Sequence, residues 1–424
     1  MSTDGYVVVP RIDKPSNVLV DNSIIVRSGE SFMRQRIESF PANSFGDLTA
    51  DAWGVPKVSI AHSLAHGMFT FDVPESIWFM YHNGTQVYSS TAITSTNGAG
   101  VLQTSATNHT LLLESRECPR YQPNRGHHFA TALICPSKTL GGVREWGVGT
   151  SENRARFRLK SDGKLYAVLF SGGIQTYEQE IDMSLIPGFD VEKGNTYDIQ
   201  YQWRGVGNYK WFVNLTCVHS ADLIGTLTAL SLENPALPMS FLAQRVTQDV
   251  SIIIGCADIT SENGEDNNIE QYGSAYSEAV TVNGTNVPVL VICNPLQING
   301  KTNTRTITLA RASMSCTKKA TFKIWETRSA GDLTGETLQT IGRGSFVQTD
   351  SPDTVAGAVR ATAVTTANLR FITAIPVEAA VRGIWDNPFR NRIELPFVRG
   401  DHIVVTCSAT TATSECVLEW GEQI

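Results

Sequence analysis

Apolar and polar side chains alternate between residues 196 and 219. The apolar positions are Tyr197, Ile199, Tyr201 and Trp203, then, after Arg204-Gly205-Val206-Gly207, Tyr209, Trp211, Val213, Leu215 and Cys217. A period of two around a glycine-bearing turn is typical of antiparallel strands with one buried face. The segment therefore predicts a β-hairpin whose apolar face belongs to a sheet core.

Similar patterns recur along the chain. Residues 155–159 and 165–170 flank Ser161-Asp162-Gly163-Lys164, where Asp-Gly supplies the positive φ of a tight turn. In the last third, strands are predicted at 287–293, 305–310, 321–326, 367–374, 402–407 and 416–420. Many short strands separated by turns favour antiparallel sandwiches. We therefore predict a mainly β protein, with two antiparallel β-sandwich domains after an irregular, β-poor N-terminal region.

Composition divides the chain into four segments. Residues 1–114, punctuated by prolines, are interpreted as a docking or attachment region, and 115–260 as the first sandwich. Residues 261–278 form an acidic, polar linker, which we interpret as an exposed connection because it does not match a calcium-binding loop. Residues 279–424 are predicted to form the second sandwich.

The charge balance argues against general nucleic-acid binding. The 424 residues carry a formal net charge of −7, and only 18% of them are charged. Binding to phosphate backbones needs clustered Lys and Arg. One basic stretch exists, which we interpret as a solvated strand face; it comprises Arg154, Arg156, Arg158, Lys160 and Lys164.

The sequence predicts neither a membrane-spanning segment nor a signal peptide, so we expect synthesis in a cytoplasm without membrane insertion. Its eight cysteines include no CxxC pair, and reduced, buried thiols are the favoured interpretation. Cys407 and Cys416 flank a Thr/Ser/Ala segment that is interpreted as a hairpin turn. A disulfide between them, formed by oxidation after release from the cell, is a hypothesis.

Motifs for catalysis and for cofactors are absent from the sequence. It contains no nucleophile elbow, phosphate-binding loop, dinucleotide glycine motif or H-E-x-x-H, so no enzyme activity, cofactor or metal is expected. Glu178, Glu180 and Asp182 alternate along one predicted strand, a spacing compatible with a glycosidase pair. The same alternation arises on any solvated strand, which we favour. Trp385 is the candidate aromatic for stacking on a sugar ring.

Four segments follow one another in an order that resembles a family of tailed-bacteriophage virion proteins. They are Arg120-Tyr121-Gln122-Pro123-Asn124-Arg125-Gly126, Arg144-Glu145-Trp146-Gly147-Val148-Gly149, the hairpin at 157–168, and Asp198-Ile199-Gln200-Tyr201-Gln202-Trp203-Arg204-Gly205-Val206-Gly207. The chain departs from the family pattern at Asn124, Gly149-Thr150 and Phe170-Ser171. The resemblance covers 115–243, with weaker similarity in the last hundred or so residues.

The resemblance implies a non-enzymatic structural part of a phage particle, assembled in the bacterial cytoplasm from many copies. We favour the tail, baseplate or fibre region, where the chain would contact other virion proteins. Capsid decoration and a host polysaccharide-binding or -degrading appendage are the alternatives. A homo-oligomer, most simply a trimer, is expected. The residues expected to define the fold through turn geometry and packing are Arg120, Tyr121, Trp203, Arg204, Gly205 and Gly207.

Overall fold

The computed structural model describes residues 18–27, 30–39 and 62–423, apart from gaps at 107, 123–124, 139–140, 204–206, 224, 227–228, 262–270, 329, 343–344 and 387–395. In the first two of these ranges only the backbone is described. There Val18–Arg27 (β1) and Glu30–Ser39 (β2) pair as an antiparallel hairpin. The rest of the predicted N-terminal region before residue 62 lies outside the described residues.

Residues 62–261 form a sandwich of two eight-stranded antiparallel sheets. Its strands are β3 (His62–Met68), β4 (Trp78–His82), β5 (Thr85–Val87), β6 (Ile93–Thr96), β7 (Ala99–Gln103), β8 (Thr110–Ser115), β9 (His127–Ile134), β10 (Gly142–Gly149), β11 (Arg154–Leu159), β12 (Leu165–Ser171), β13 (Ile174–Glu180), β14 (Asn195–Gln202), β15 (Asn208–Val213), β16 (Thr216–Asp222), β17 (Met239–Arg245) and β18 (Ser251–Ser261), with a 3-10 turn at Met183–Leu185. One sheet has the order β13-β12-β11-β10-β17-β8-β4-β5. The other has the order β16-β15-β14-β9-β18-β7-β6, with β3 beside β18.

The predicted hairpin supplies the centre of this sandwich core. Tyr197 lies at 0% exposure between the sheets, with its ring centroid 4.9 Å from Trp146 and 5.3 Å from Phe157. The second strand ends earlier than predicted, because Asn214 and Leu215 have positive φ and form a turn. Leu215 is therefore exposed rather than buried, which corrects the prediction at that position.

Residues 271–423 form the second domain. Its strands are β19 (Gln271–Cys293), β20 (Gln297–Ile298), β21 (Lys301–Thr302), β22 (Thr306–Cys316), β23 (Ala320–Thr327), β24 (Leu333–Thr334), β25 (Gln339–Gly342), β26 (Ser345–Thr349), β27 (Ala363–Val364), β28 (Arg370–Val377), β29 (Gly383–Asp386), β30 (Pro396–Phe397) and β31 (His402–Gln423), with 3-10 turns at Ala330–Asp332 and Thr366–Asn368. Nine of them belong to one sheet, in which β31 pairs with β23 through its first part and with β22 through its last part. Register shifts interrupt the long β19–β31 ladder, and the sheet packs on a core that includes Phe322 and Trp420.

The structure confirms a mainly β fold, but two of its domain boundaries differ from the predicted ones. Strands β3 to β8 pair into both sheets of the first sandwich, so this domain begins near residue 62 rather than 115. The expectation of a docking region over all of 1–114 is therefore corrected. Pairing of β8 and β3 with the distant β17 and β18 orders these short runs. Residues 271–278 of the predicted linker belong to β19, while 262–270 lie outside the described residues.

Candidate functional site

Tyr121 and Trp203 pack against each other at one end of the first sandwich. The Trp203 backbone N–H donates to the Tyr121 hydroxyl at 2.9 Å, and the two rings meet edge to face at 5.8 Å. The indole Nε1 of Trp203 donates to the Leu232 carbonyl at 3.0 Å. His127 stands beside Tyr121 and lies 3.3 Å from the Tyr201 hydroxyl, and burial lowers the pKa of His127 to about 4. These contacts stabilise the packing at this end of the sandwich.

The neighbouring turn requires glycine at its end. Gly207 has φ +71°, and a Cβ added there would lie 2.3 Å from the Tyr209 ring. Arg120 is half-buried, and Arg204 and Gly205 lie outside the described residues.

The aromatic and cysteine candidates lie in the second domain. The backbone of Trp385 pairs with Ala312 between β29 and β22, while its side chain is outside the described part of the chain. Cys407 and Cys416 both lie on β31 as free, buried thiols rather than across a hairpin from each other. Burial raises the pKa of Cys407 to about 12, which suppresses its thiolate form. The disulfide remains a prediction.

A cleft of about 300 Å³ lies on the outer face of the first sheet, across β11, β10, β17 and β8. The basic stretch of the sequence forms one side of it. Phe157 points into the sandwich core, so the alternating residues Arg154, Arg156 and Arg158 point outward into the cleft, with Lys160 following at its end. This side of the cleft is a row of guanidinium groups backed by a rigid sheet.

Glu145 lies at the base of this row with 3% exposure. Its carboxylate is 2.6 Å from Arg158, 3.1 Å from Arg156 and 3.7 Å from the Nε of Arg154. Burial raises the pKa of Glu145, but the three guanidinium groups outweigh burial and hold the pKa below its ordinary value. Glu145 therefore stays ionised at neutral pH and aligns the arginines.

The candidate catalytic carboxylates Glu178, Glu180 and Asp182 form local contacts with neighbouring side chains. Glu178 accepts hydrogen bonds from Arg158 at 3.0 Å and Lys160 at 2.8 Å. Burial raises the pKa of Glu178, yet these two cations outweigh it and the net shift is downward. Glu180 pairs with Lys164 at 2.8 Å on the exposed rim.

Asp182 lies just beyond β13, outside this ladder of ion pairs. It accepts hydrogen bonds from the Ser184 hydroxyl at 2.6 Å and the Ser184 backbone N–H at 2.9 Å, which lower the pKa of Asp182 and cap the 3-10 turn. A glycosidase acid needs a raised pKa. The shifts of Glu178 and Asp182 run in the opposite direction, which supports the interpretation of a structural strand face.

Two buried ion pairs join the two domains. Arg116 of the first domain pairs with Asp401, and Arg399 of the second domain pairs with Glu114. None of the four residues is more than 4% exposed. The guanidinium carbons of Arg116 and Arg399 lie 4.4 and 5.1 Å from the ring centroid of Phe79, so the ring contacts both cations. We call these five residues the junction cluster.

A tight turn presents the second domain's half of the junction cluster. Asp401 accepts a hydrogen bond from the Val398 backbone N–H at 2.9 Å, and Gly400 between them has φ +83°. Burial raises the pKa of Asp401 to about 7, against the opposing effect of Arg116, and burial lowers the pKa of Arg399 to about 10. Both shifts reflect how completely the junction excludes water.

Further polar contacts extend the domain interface. The amide of Asn234 donates to the Thr304 hydroxyl at 2.9 Å, and the Thr302 backbone N–H donates to Glu152 at 3.1 Å. Lys301 pairs with Glu233 beside them. The interface therefore contains a buried charged centre and a more exposed polar rim.

Sequence reasoning singled out the arginines of the cleft but interpreted them as a solvated strand face, whereas Arg156 is 2% exposed. It missed Glu145 and the junction cluster. The Arg-x-Arg-x-Arg spacing was a usable signal, because alternate strand residues share one face. The pairing of Arg399 with Glu114 joins residues 285 positions apart. No local pattern in the sequence could have found that contact.

No protein-family model matches the chain, and no curated protein matches it. Among solved structures, an endo-1,3-beta-glucanase from Streptomyces sioyaensis is similar at 10% identity and a TM-score of 0.35, covering 48% of this chain and 95% of that chain. The metal-free carbohydrate recognition domain of Emp46p matches at 12% identity and a TM-score of 0.29, covering 45% of this chain and 95% of that one. A beta-1,3-glucanase from Mycobacterium marinum matches at 10% identity and a TM-score of 0.32, covering 48% of this chain and 98% of that one. Likenesses at this level do not identify a function.

The residues that the structure describes provide neither a metal-binding cluster nor a membrane-spanning helix. Within them, no group of three or more His, Cys, Asp or Glu side chains is arranged to hold a metal ion. None of the helices in the same ranges is long and apolar enough to cross a membrane.

Proposed function

We propose that this chain is a non-enzymatic structural component of a tailed-phage virion, in the tail, baseplate or fibre region, where it mediates assembly contacts with other virion proteins. The sequence resemblance supplies the virion context. The observation that carries the structural role is the junction cluster, which opposes independent domain motion by burying two ion pairs between the sandwiches. Domains joined by small polar interfaces ordinarily move relative to each other, whereas a particle part must keep one shape.

Residues 1–61 dock the chain on neighbouring subunits, and the chain acts as a homo-oligomer, most simply a trimer. Assembly takes place in the host bacterial cytoplasm before the particle is released.

Host polysaccharide binding is a second candidate function, because the arginine-lined cleft offers a concave surface on a rigid sheet. The two functions are compatible, since phage appendages that build the particle can also contact the host. Capsid decoration remains the alternative location.

Immunogold electron microscopy of intact virions, with antibody against this chain, tests the proposal. Label at the tail tip, baseplate or fibres would support it. Label spread over the head would overturn the tail location in favour of capsid decoration. Absence of the chain from purified particles, checked by mass spectrometry of the same preparation, would overturn the virion role altogether.

A further inference from the structure

The cleft on the first sandwich carries more positive charge than its own structure neutralises. Arg154, Arg156, Arg158 and Lys160 line it, and their carboxylate partners are Glu145 and Glu178. Four cations thus face two anions, which leaves a surplus of two positive charges. A concave surface with one excess sign of charge concentrates ligands of the opposite sign.

The arginines of the cleft are held in place before any ligand arrives. The guanidinium carbon of Arg154 lies 3.5 Å from the ring centroid of Phe170, and its Nη1 donates to the Ser151 carbonyl at 2.7 Å. Arg158 is fixed between Glu145 and Glu178. Because the side chains are already ordered, binding an anion would cost little further conformational entropy.

Hydrogen-bonding capacity remains inside this ordered row. The Nε atoms of Arg154 and Arg156 are buried and have no hydrogen-bond partner. Arg156 is 2% exposed and its two terminal nitrogens donate to Glu145 and the Gly149 carbonyl, so its buried Nε is left without an acceptor. An unpaired buried donor is unfavourable, and a nearby anion in the cleft would lessen that cost electrostatically.

The remaining lining favours a sugar over a peptide. Leu112, Val143 and Leu242 provide an apolar strip beside the cations, and Gln244 adds an amide that can both donate and accept. The cleft lies on the face of four paired strands, so an extended peptide could not add main-chain hydrogen bonds as it would at a sheet edge. Recognition must come from side chains, and the ring face of a sugar can pack on the apolar strip while its polar groups meet the amide and the arginines.

We propose that this cleft binds a carboxylate-bearing sugar unit of an acidic polysaccharide, with the carboxylate attracted by the surplus positive charge and received by the guanidinium group of Arg154. Arginine suits this role because its planar fork matches a carboxylate. Glu145 is a positioning residue that holds the row of arginines. This assignment rests on the second candidate function, polysaccharide binding at the cleft, and names its ligand class; it does not depend on where the chain lies in a particle.

Isothermal titration calorimetry of the full chain with a polyuronate oligosaccharide tests the proposal, with an uncharged β-glucan oligosaccharide and a poly-glutamate peptide as comparison ligands. The polyuronate should bind, with affinity that falls as salt is raised. Arg154→Gln should weaken binding about tenfold or more, since a charged hydrogen bond contributes about 1.5–3 kcal/mol. The matched control is Lys164→Gln, in the turn before β12 and outside the lining; it should change the affinity less than about twofold, as expected for an exposed pair.

Leu242→Trp provides a second variant that fills the cleft without changing its charge. It should also abolish binding, while its circular dichroism spectrum matches that of the unmodified chain. Absence of polyuronate binding, equal binding of the neutral glucan, or full affinity in both variants would overturn the proposal. Equal binding of poly-glutamate would overturn the assignment to a sugar.

Discussion

Replacing Arg399 with methionine removes one charge of the junction cluster while keeping most of the side-chain volume. Glu114, which is 4% exposed, would then be a buried carboxylate without its partner. Removing one partner of a buried ion pair costs about 3–5 kcal/mol, and losing the cation near Phe79 adds about 0.5–2 kcal/mol. Domain stabilities are about 5–15 kcal/mol, so this single change should remove a large part of the total.

A double-mutant cycle with Glu114→Gln separates the pair from its surroundings. Urea unfolding should show that the combined variant loses at least about 2 kcal/mol less than the sum of the two single losses, because each single change leaves a buried charge unpaired. The control is Lys319→Met, which breaks an exposed pair with Glu378 and should cost less than about 1 kcal/mol. A loss below about 1 kcal/mol for Arg399→Met, or strictly additive losses, would refute the argument that the junction cluster couples the two domains.

Three further predictions concern the cores. The pKa of His127 is lowered from 6.5 to about 4 by burial, so its stabilising contribution is present above pH 6.5 and is lost as the pH falls towards 4. His127→Phe should therefore remove about 2–3 kcal/mol of the acid-dependent loss between pH 7.5 and 4.5, measured by urea unfolding, and an unchanged pH slope would contradict this. Gly273→Ala should destabilise the second domain by about 1–3 kcal/mol in thermal unfolding, because the new Cβ would lie 2.5 Å from the Trp420 ring. A melting temperature equal to that of the unmodified chain would argue against this close approach. The hypothesis of a Cys407–Cys416 bridge requires two fewer than the eight free thiols after oxidation, whereas burial of both thiols on one strand opposes the bridge; peptide mapping of the oxidised chain that finds both free would exclude it.

Local pattern in the sequence determined the strands and several of their turns. The alternation at 196–213 predicted the pairing of β14 with β15 and the face that enters the core, but it did not predict that the opposite face, with Asp198, Gln200 and Lys210, is buried as well. Asp162-Gly163 predicted the turn between β11 and β12. These features follow from the sequence because the side-chain period of a strand and the φ preference of glycine are properties of the backbone itself. The row of arginines on one face of β11 follows for the same reason.

Only the tertiary structure decided what those strands face. The short, irregular runs at 62–114 become part of the first sandwich because β17 and β18, more than a hundred residues away, supply their hydrogen-bonding partners. Glu145 meets the arginines through the β10–β11 register, and Arg399 meets Glu114 across 285 residues. Such contacts depend on which register and domain arrangement bury the most apolar surface while leaving the fewest charges unpaired. That choice depends on the whole chain, so of the cleft and the junction only the row of arginines on β11 could be predicted from a local sequence pattern.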